Sequence, residues 1–339
     1  MRRMAVVALG SLTLLGGYSR GKIDNAPLRA HFADTFDIDT FSRGNLHAHT
    51  IASDGDAPAD DVIATYRALG YRFIALTDHN KLYGVKRAAA HSSPRFIVVP
   101  GEEVTMTGGG KQVHVNALCT TVPILGGAFD RPFDALQAAA SEVNAQRGVG
   151  LVNHPNFDWA LRRSDVIAVA PSIQLIEIAS GHPYVHERGD GAKLSHEALW
   201  DAVLTAGFNV AGVAVDDEHH VRLSAEPPAF AASGWVDLFG DLTTEEAICD
   251  ALKHGRLIAS TGPRIKRLRV TPESYTITLD QPADRVTFIG GGGRVLLESH
   301  ELTGAIEYRI VGNEQYVRAR VDAGDKHAWT PALAIFRGM

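Results

Sequence analysis

The run 45–55 reads NLHAHTIASDG and holds two histidines two residues apart, His47 and His49, with Asp54 five residues further on. In extended chain, residues two apart project to the same side. The two imidazoles therefore point one way, and a short loop can swing the Asp54 carboxylate towards them. Two nitrogens and one oxygen converging on a point suit a borderline divalent cation. Alone, the trio also admits a structural reading, as two histidines beside a turn aspartate.

The elements that must position these groups follow from the apolar patterning. Seven β-like runs occur at 44–49, 73–77, 96–100, 113–118, 149–153, 173–179 and 208–215. Helical patterns lie between several of them. Pro58 suits an early position of a helix over 58–69, and Gly70 stops it. The Ala-rich stretch 132–146 stops before Gly148. Ser195 caps a helix over 195–206 with Gly207 as terminator, and Gly255 ends another over 245–254. Strands alternating with helices predict a parallel α/β arrangement, and seven strands suggest a closed, barrel-like sheet.

Further histidines and acids fall at the ends of these runs. Asp78 and His79 follow the second run, Glu102 and Glu103 the third, and His154 the fifth; Asp216, Asp217, Glu218 and His219 follow the seventh. In a β/α barrel the reactive residues gather at the C-terminal ends of the strands. His114, near the start of its run, is the exception.

From about residue 265 helical periodicity disappears. Alternating segments at 267–270, 275–279, 285–289, 294–298, 307–311 and 316–321 are split by Gly, Pro and Asn turns, which predicts a small antiparallel β-sandwich. The glycines at 290–293 form a tight turn and not a phosphate loop, since no Lys and helix follow. At the other end, Arg2 and Arg3, an apolar run over 4–15 and small residues up to 20 resemble a secretory signal, too short to span a bilayer. Export to the periplasm or medium is expected, with a cytoplasmic location as the alternative. Residues 21–42 form a lead-in, and no segment is a membrane-span candidate. Cys119 and Cys249 belong to no C-x-x-C pair, and two buried thiols are expected in preference to a disulfide. The chain is large enough, at 339 residues and 45% hydrophobic, to bury a sizeable core. A net charge of −6 with no basic run gives no sign of an obligatory nucleic-acid polymer, and 15 histidines favour metal or proton handling.

The opening H-x-H-x-x-x-x-D, the T-D-H at 77–79, the G-x-E at 101–103 and the D-x-H at 217–219 appear in that order. On these motifs the chain resembles the PHP family, the polymerase and histidinol phosphatase superfamily of metal-dependent hydrolases. The resemblance covers roughly residues 43–262. It implies a distorted (β/α)7, TIM-like barrel. The segment IASTGP at 258–263, followed by a β-rich tail over 263–339, resembles an exported branch that includes carbamate-hydrolase-like members.

Carried over residue by residue, the resemblance implies one metal among His47, His49, Glu103 and Asp217. A second would be held by Asp54, His79 and His219. A third would take Glu103, His114 and His154, with Glu103 as bridge. Two to three divalent ions (Zn, Mn or Fe) are thus expected. Asp54 stands where some members use His, which makes the second site richer in oxygen. The G-x-E register selects Glu103 over Glu102; D-x-H selects Asp217 over Asp216 and His219 over His220. Asp216 and His220 are candidates to orient ligands, and Asp78 to bond a ligand or strand end. Glu177 reads as a buried, hydrogen-bonded carboxylate. His182, His186, Lys81, Arg162, Arg163 and Arg222 lie in loops that can approach the site or stay solvated. His31, His91, His196, His254, His300 and His327 read as structural or surface residues.

The expected chemistry is hydrolysis by a hydroxide made available near neutral pH by the metals. Asp217 or His219 would supply the proton for the leaving oxygen. A small phosphorylated substrate, such as a nucleotide or sugar phosphate, is expected. The alternatives are hydrolysis of a carbamate, amide or ester at the same site, and a metal-stabilised binding module without turnover. The oligomeric state is left open.

Overall fold

A computed structural model of the protein describes residues 36–221 and 231–335. The proposed signal segment, His31 and Arg222 lie outside the described residues. The chain runs β1 (Phe36–Ile38), β2 (Phe41–Asn45), α1 (Ala59–Ala68), β3 (Phe73–Ala75), α2 (Val85–His91), β4 (Ile97–Val99), β5 (Gly101–Gly108) and β6 (Lys111–Leu118). Then come β7 (Ala128–Phe129), α3 (Pro132–Ala145), β8 (Val149–Val152), α4 (Arg163–Val169), β9 (Leu175–Ser180), α5 (His196–Thr205) and β10 (Ala211–Val215). The α/β part closes with β11 (Trp235–Phe239), α6 (Glu245–Lys253) and β12 (Leu257–Ser260).

Local chemistry accounts for the helices. In α1, Asp60 and Asp61 occupy the first turn and Arg67 the last, each matched to the helix dipole, while Val62, Ile63 and Tyr66 turn inward. The Ser195 hydroxyl caps α5 by accepting from the Ala198 N–H. The four helices expected from sequence are present; α2 and α4 are additional short ones.

All seven expected strands form, with two corrections of geometry. First, the sheet is not purely parallel. β2, β3 and β4 run parallel to one another, as do β8, β9 and β10. However, β6 is antiparallel to both β5 and β8, and β11 is antiparallel to β2. The reversal of β6 puts its first residues at the same end as the last residues of the parallel strands. That is why His114, near the start of its strand, joins residues that follow theirs. Second, β2 ends at Asn45, so His47 and His49 lie beyond it in extended chain held by an isolated bridge between Ala48 and Glu218. β5 was not expected. Pro100, which has no N–H to donate, separates it from β4, and Glu102 and Glu103 open the new strand instead of ending the old one.

These strands fall in two sheets. One is six-stranded, in the order β10-β9-β8-β6-β5-β7; the other contains the run β12-β11-β2-β3-β4. The sheets approach at the ligand-bearing ends through the Ala48–Glu218 bridge and a second bridge between His79 and Glu103.

The remaining strands are β13 (Ile265–Val270), β14 (Ser274–Leu279), β15 (Ala283–Gly290), β16 (Arg294–Leu302), β17 (Ala305–Arg309), β18 (Tyr316–Ala323), β19 (Lys326–Trp329) and β20 (Leu333–Ala334). They pair antiparallel in two layers, β1-β13-β14-β17 and β16-β15-β18-β19, around a core that includes Leu268, Tyr275, Ile277, Phe288, Ala319 and Val321. Pairing of β19 with β12 (Ala259 with Trp329, Ser260 with Ala328) makes the second layer continuous with the β12-β11-β2-β3-β4 run. A buried ion network adds to this junction. Arg318 of β18 donates to Asp201 (2.9 and 2.8 Å) and Glu197 (2.8 Å) of α5 and lies over the Trp200 ring.

Cys119 and Cys249 form a disulfide, Cα to Cα 6.1 Å, tying the end of β6 to α6. The expectation of two thiols is corrected: a separation of 130 residues hides a proximity that only the fold creates. Among the described residues no helix is long and apolar enough to cross a membrane.

Candidate metal centre

The backbone between β2 and α1 is fixed before any side chain of the cluster is considered. Ala48 exchanges hydrogen bonds with Thr77, and the His49 N–H donates to the Glu218 carbonyl at 2.7 Å. His47 and His49 are thereby held with their rings 5.1 Å apart. The loop then folds back sharply. A Cβ at Gly55 would lie 2.7 Å from the His49 carbonyl group, so only glycine permits the approach that returns Asp54 to the cluster. Asp78 pins the same loop, accepting from the Thr50 N–H (2.7 Å), the Thr50 hydroxyl (2.8 Å) and the Ser53 hydroxyl (2.9 Å). Its expected helper role thus acts on the loop and not on a ligand.

The structure brings together all nine sequence-selected residues. Four groups have donor atoms mutually within 4.8 Å: His49, Asp54, His79 and His219; His47, His49 and Asp217; His47, Glu103 and His154; His79, Glu103 and His114. Glu103 sits among five imidazoles. Its Oε2 lies 3.1 Å from His47 Nε2, 3.2 Å from His49 Nε2 and 3.2 Å from His79 Nδ1. Its Oε1 lies 3.0 Å from His114 Nδ1 and 3.4 Å from His154 Nε2. Asp217 Oδ1 is 3.2 Å from both His47 and His49. Asp54 reaches His49, His79 and His219 at 3.4–3.5 Å. The Glu102 side chain, on the opposite face of β5, accepts from the Ile124 N–H at 2.7 Å, which settles the register in favour of Glu103.

The cluster is closed towards the protein and open on one side. His47, His49, Glu103, His114, His154 and Asp217 are buried, whereas the Asp54 side chain is 52% exposed. Asp217 takes φ +52°, a left-handed conformation uncommon outside glycine and characteristic of constrained functional positions.

Electrostatics show what the cluster lacks. Burial opposes charge on His47, His49, Glu103 and Asp217, yet these acids and imidazoles hold one another ionised, whereas at His114 burial prevails and lowers the ring's pKa. Burial would lower the His49 pKa, but hydrogen bonds to Asp217 and Glu103 outweigh it and raise the ring to about 9. Against the same burial, Asp217 and Glu103 raise His47, while His47 and His114 hold the Glu103 carboxyl well below its usual range. Asp217 is lowered by His47 and His49 despite complete burial, and Asp54 by His219 and His79. Buried carboxylates here take positive charge from protons on neighbouring imidazoles. A divalent cation supplies that charge and frees the nitrogens to coordinate. His114 Nε2 is also buried without a hydrogen-bond partner. The mixed nitrogen and oxygen donor set fits Zn, Mn or Fe in chemistry.

Several supporting residues were incompletely read or missed. Glu177 Oε1 lies 2.7 Å from His47 Nδ1, and its Oε2 accepts from the His154 N–H at 2.7 Å. The signal was a single carboxylate inside an otherwise apolar strand. Asn153 donates to Glu103 Oε1 (2.8 Å), and Thr105 Oγ1 lies 2.6 Å from His79 Nδ1. Asp216 orients no ligand side chain. It accepts from the Tyr66 hydroxyl (2.6 Å) and from the Ala232 and Gly234 N–H groups, and burial raises its carboxyl to about 7. The His220 N–H donates to Glu218 Oε1, and its ring is 3.8 Å from Asp56.

Among the loop candidates, His182 reaches the site, its ring 5.5 Å from that of His219. His186 stacks on Trp159 instead. Arg162 lines a separate cavity, and Lys81 and Arg163 are exposed. His196 is buried and accepts from the Asn156 N–H, while His91, His254, His300 and His327 lie beside Asp60, Asp250, Glu298 and Asp322.

A family model described as the PHP domain matches residues 45–159. No curated protein sequence matches the chain. Among solved structures, the chain is similar to a two-domain protein from Bacteroides vulgatus containing a predicted PHP-like metal-dependent phosphoesterase. Identity is 16%, the match covers 89% of this chain and 98% of that one, and the TM-score is 0.49. It is also similar to an amidohydrolase from Chromobacterium violaceum, with 18% identity, 62% and 96% coverage and a TM-score of 0.42. The segment matched by the PHP domain model carries His47, His49, Asp54, His79, Glu103, His114 and His154.

Proposed function

We propose that this protein is a divalent-metal-dependent hydrolase that cleaves a phosphoester of a small molecule such as a nucleotide or sugar phosphate. The observation that carries the reading is Glu103, both oxygens of which lie among five imidazoles in a cluster open at Asp54. A structural zinc site is closed by four protein ligands, whereas a catalytic one keeps an open side.

In this reading His47, His49, Glu103 and Asp217 hold one ion, Asp54, His79 and His219 a second, and Glu103, His114 and His154 a third. When bound, the ions supply an acidified water near neutral pH and neutralise charge on the ester oxygens. The chain's own residues do the rest. Glu177 fixes the His47 ring by accepting a hydrogen bond from its Nδ1–H, which leaves Nε2 to face Glu103 and Asp217. Thr105 steadies His79. Deeply buried apolar strands around the cluster keep bulk water to the Asp54 side. In this reading Asp217 or His219 would supply the proton for the leaving oxygen.

The seven strands β2, β3, β4, β6, β8, β9 and β10 are read as a distorted barrel interrupted between β4 and β5, with residues 263–339 as an accessory sandwich. Export is supported by the Cys119–Cys249 disulfide, a bond that persists in oxidising compartments, together with the signal-like residues 1–20.

A screen of phosphomonoesters, phosphodiesters and carbamates with added Mn²⁺ or Zn²⁺ tests the reading. Turnover of a phosphoester, abolished in Asp217→Ala, is expected. Turnover of carbamates alone would replace the phosphoester assignment while leaving the hydrolase.

A further inference from the structure

We propose that the cavity beside the short turn Phe157–Trp159 is an anion site, separate from the metal-ligand cluster, that takes the phosphoryl group of a small molecule bearing a flat apolar part. The inference goes beyond the hydrolase reading, because it depends on the cavity's own side chains and on none of the nine cluster residues.

The cavity measures about 380 Å³, within the range of small-molecule sites. Lys111, Arg131, Arg162 and Lys193 line it, against a single carboxylate, Asp165. This concentration of positive charge occurs in a chain whose net charge is −6. The cations are unevenly satisfied. Arg131 has a two-pronged pair with Asp134. Lys111 Nζ donates to the carbonyls of Asp158 (3.1 Å) and Trp159 (3.0 Å), which do not cancel its charge. Asp165 accepts from the Arg162 backbone N–H and so caps α4. Among the described residues, neither the Arg162 guanidinium nor the Lys193 ammonium has a carboxylate within ion-pair distance, although Lys193 is partly buried. Like charges gathered in a concave, partly desolvated space repel one another. A multiply charged oxyanion relieves that repulsion, and Arg and Lys donors match phosphoryl oxygens.

The walls are aromatic. Trp159 and Phe133 both line the cavity, and the Trp159 indole is backed by the His186 ring, 4.4 Å away and 10° from parallel. Such a braced plane suits a flat apolar group next to the anion. The turn itself is built under strain. Asp158 and Trp159 take φ +53° and +52°, two successive left-handed residues that are not glycine, and Lys111 holds both carbonyls. Strain maintained at a cavity wall points to a wall whose position matters. The first residue of the turn, Phe157, packs against His114 and His154, with ring centroids at 5.6 and 5.2 Å. One turn therefore joins the cavity to the cluster.

The test is calorimetric titration of the full chain, stripped of metal by a chelator that is then removed, with phenylphosphonate, whose P–C bond resists phosphoester hydrolysis. Saturable binding at one site is expected, weakened at least tenfold in Arg162→Ala/Lys193→Ala and unchanged in Asp217→Ala. The single variants Arg162→Gln and Lys193→Met, each expected to weaken binding severalfold, serve if the double variant does not fold. Benzoate is expected to bind at least tenfold more weakly; equal affinity would overturn the phosphoryl assignment. Absence of binding to the stripped wild type, or equal affinity in the Arg162 and Lys193 variants, would overturn the site. Failure of the hydrolase reading would appear differently, as intact phenylphosphonate binding without turnover of any ester.

Discussion

Glu177 Oε1 lies 2.7 Å from His47 Nδ1, and neither side chain is exposed to solvent. The second oxygen of the same carboxylate accepts from the His154 N–H at 2.7 Å. One acid on β9 therefore sets both the tautomer of one cluster histidine and the backbone of another. Partners of this kind orient metal ligands, and their loss commonly lowers metal affinity about 10–100-fold. Glu177→Gln keeps the size but offers one acceptor where two are needed. It is expected to lose metal affinity within that range while keeping its melting temperature within a few degrees. Metal titration calorimetry beside a thermal melt checks this; wild-type affinity in the variant would remove Glu177 from the account.

The Arg318 network makes a separate prediction about stability. Its side chain is fully buried against Asp201, Glu197 and Trp200, and burial of its charge is outweighed by the Glu197 and Asp201 carboxylates, which keep it protonated. Arg318→Ala leaves the Asp201 carboxylate without its cation, while Glu197 keeps Arg320 at 2.9 Å, and is expected to cost about 3–5 kcal/mol. Replacing the whole group with apolar residues of similar volume is expected to cost much less, because the desolvation penalty goes with the charges. Urea unfolding of both variants checks the contrast, and equal losses would contradict it.

His196 gives the stability a pH dependence. Burial lowers its pKa to about 3, and its Nε2 accepts a hydrogen bond from the Asn156 N–H, so the folded protein holds it neutral. Unfolded, it takes a proton below its ordinary value of about 6.5. Its contribution is thus fully present above that pH and is lost as the pH falls from there towards 3, by at most about 1.4 kcal/mol per unit. His196→Gln removes the titration. Unfolding free energies measured from pH 7 to 4 are expected to fall more steeply for the wild type, and parallel curves would show that His196 does not contribute.

The disulfide is expected to matter for persistence. It closes a loop between residues 130 apart in sequence, and long closed loops typically gain about 2–4 kcal/mol. Cys119→Ala/Cys249→Ala is expected to lower the urea midpoint accordingly while leaving metal content unchanged. An unshifted midpoint would contradict the stabilising role.

The candidate site was largely legible because its residues sit beside strand ends marked by apolar runs. H-x-H, T-D-H, G-x-E and D-x-H each name a side chain next to an element whose existence is readable. What was not legible depends on pairing. The direction of β6 is set by its hairpin with β5, and β5 begins after Pro100 with two acids that read as the end of a strand. The β12–β19 ladder and the Cys119–Cys249 bond join residues far apart in sequence, with no local pattern to announce them. Glu177 was visible as an isolated acid in β9, but its partner, 130 residues away, was not. The strained pair Asp158 and Trp159 carries no glycine to mark it.

Elemental analysis of the gently purified full chain tests the central claim most directly. Convergence of nine donor residues, Glu103 among them, predicts more than one divalent transition ion per chain, falling by at least one in Asp217→Ala. A wild-type protein that holds no such ion, and gains none when Mn²⁺ or Zn²⁺ is added, would contradict the account.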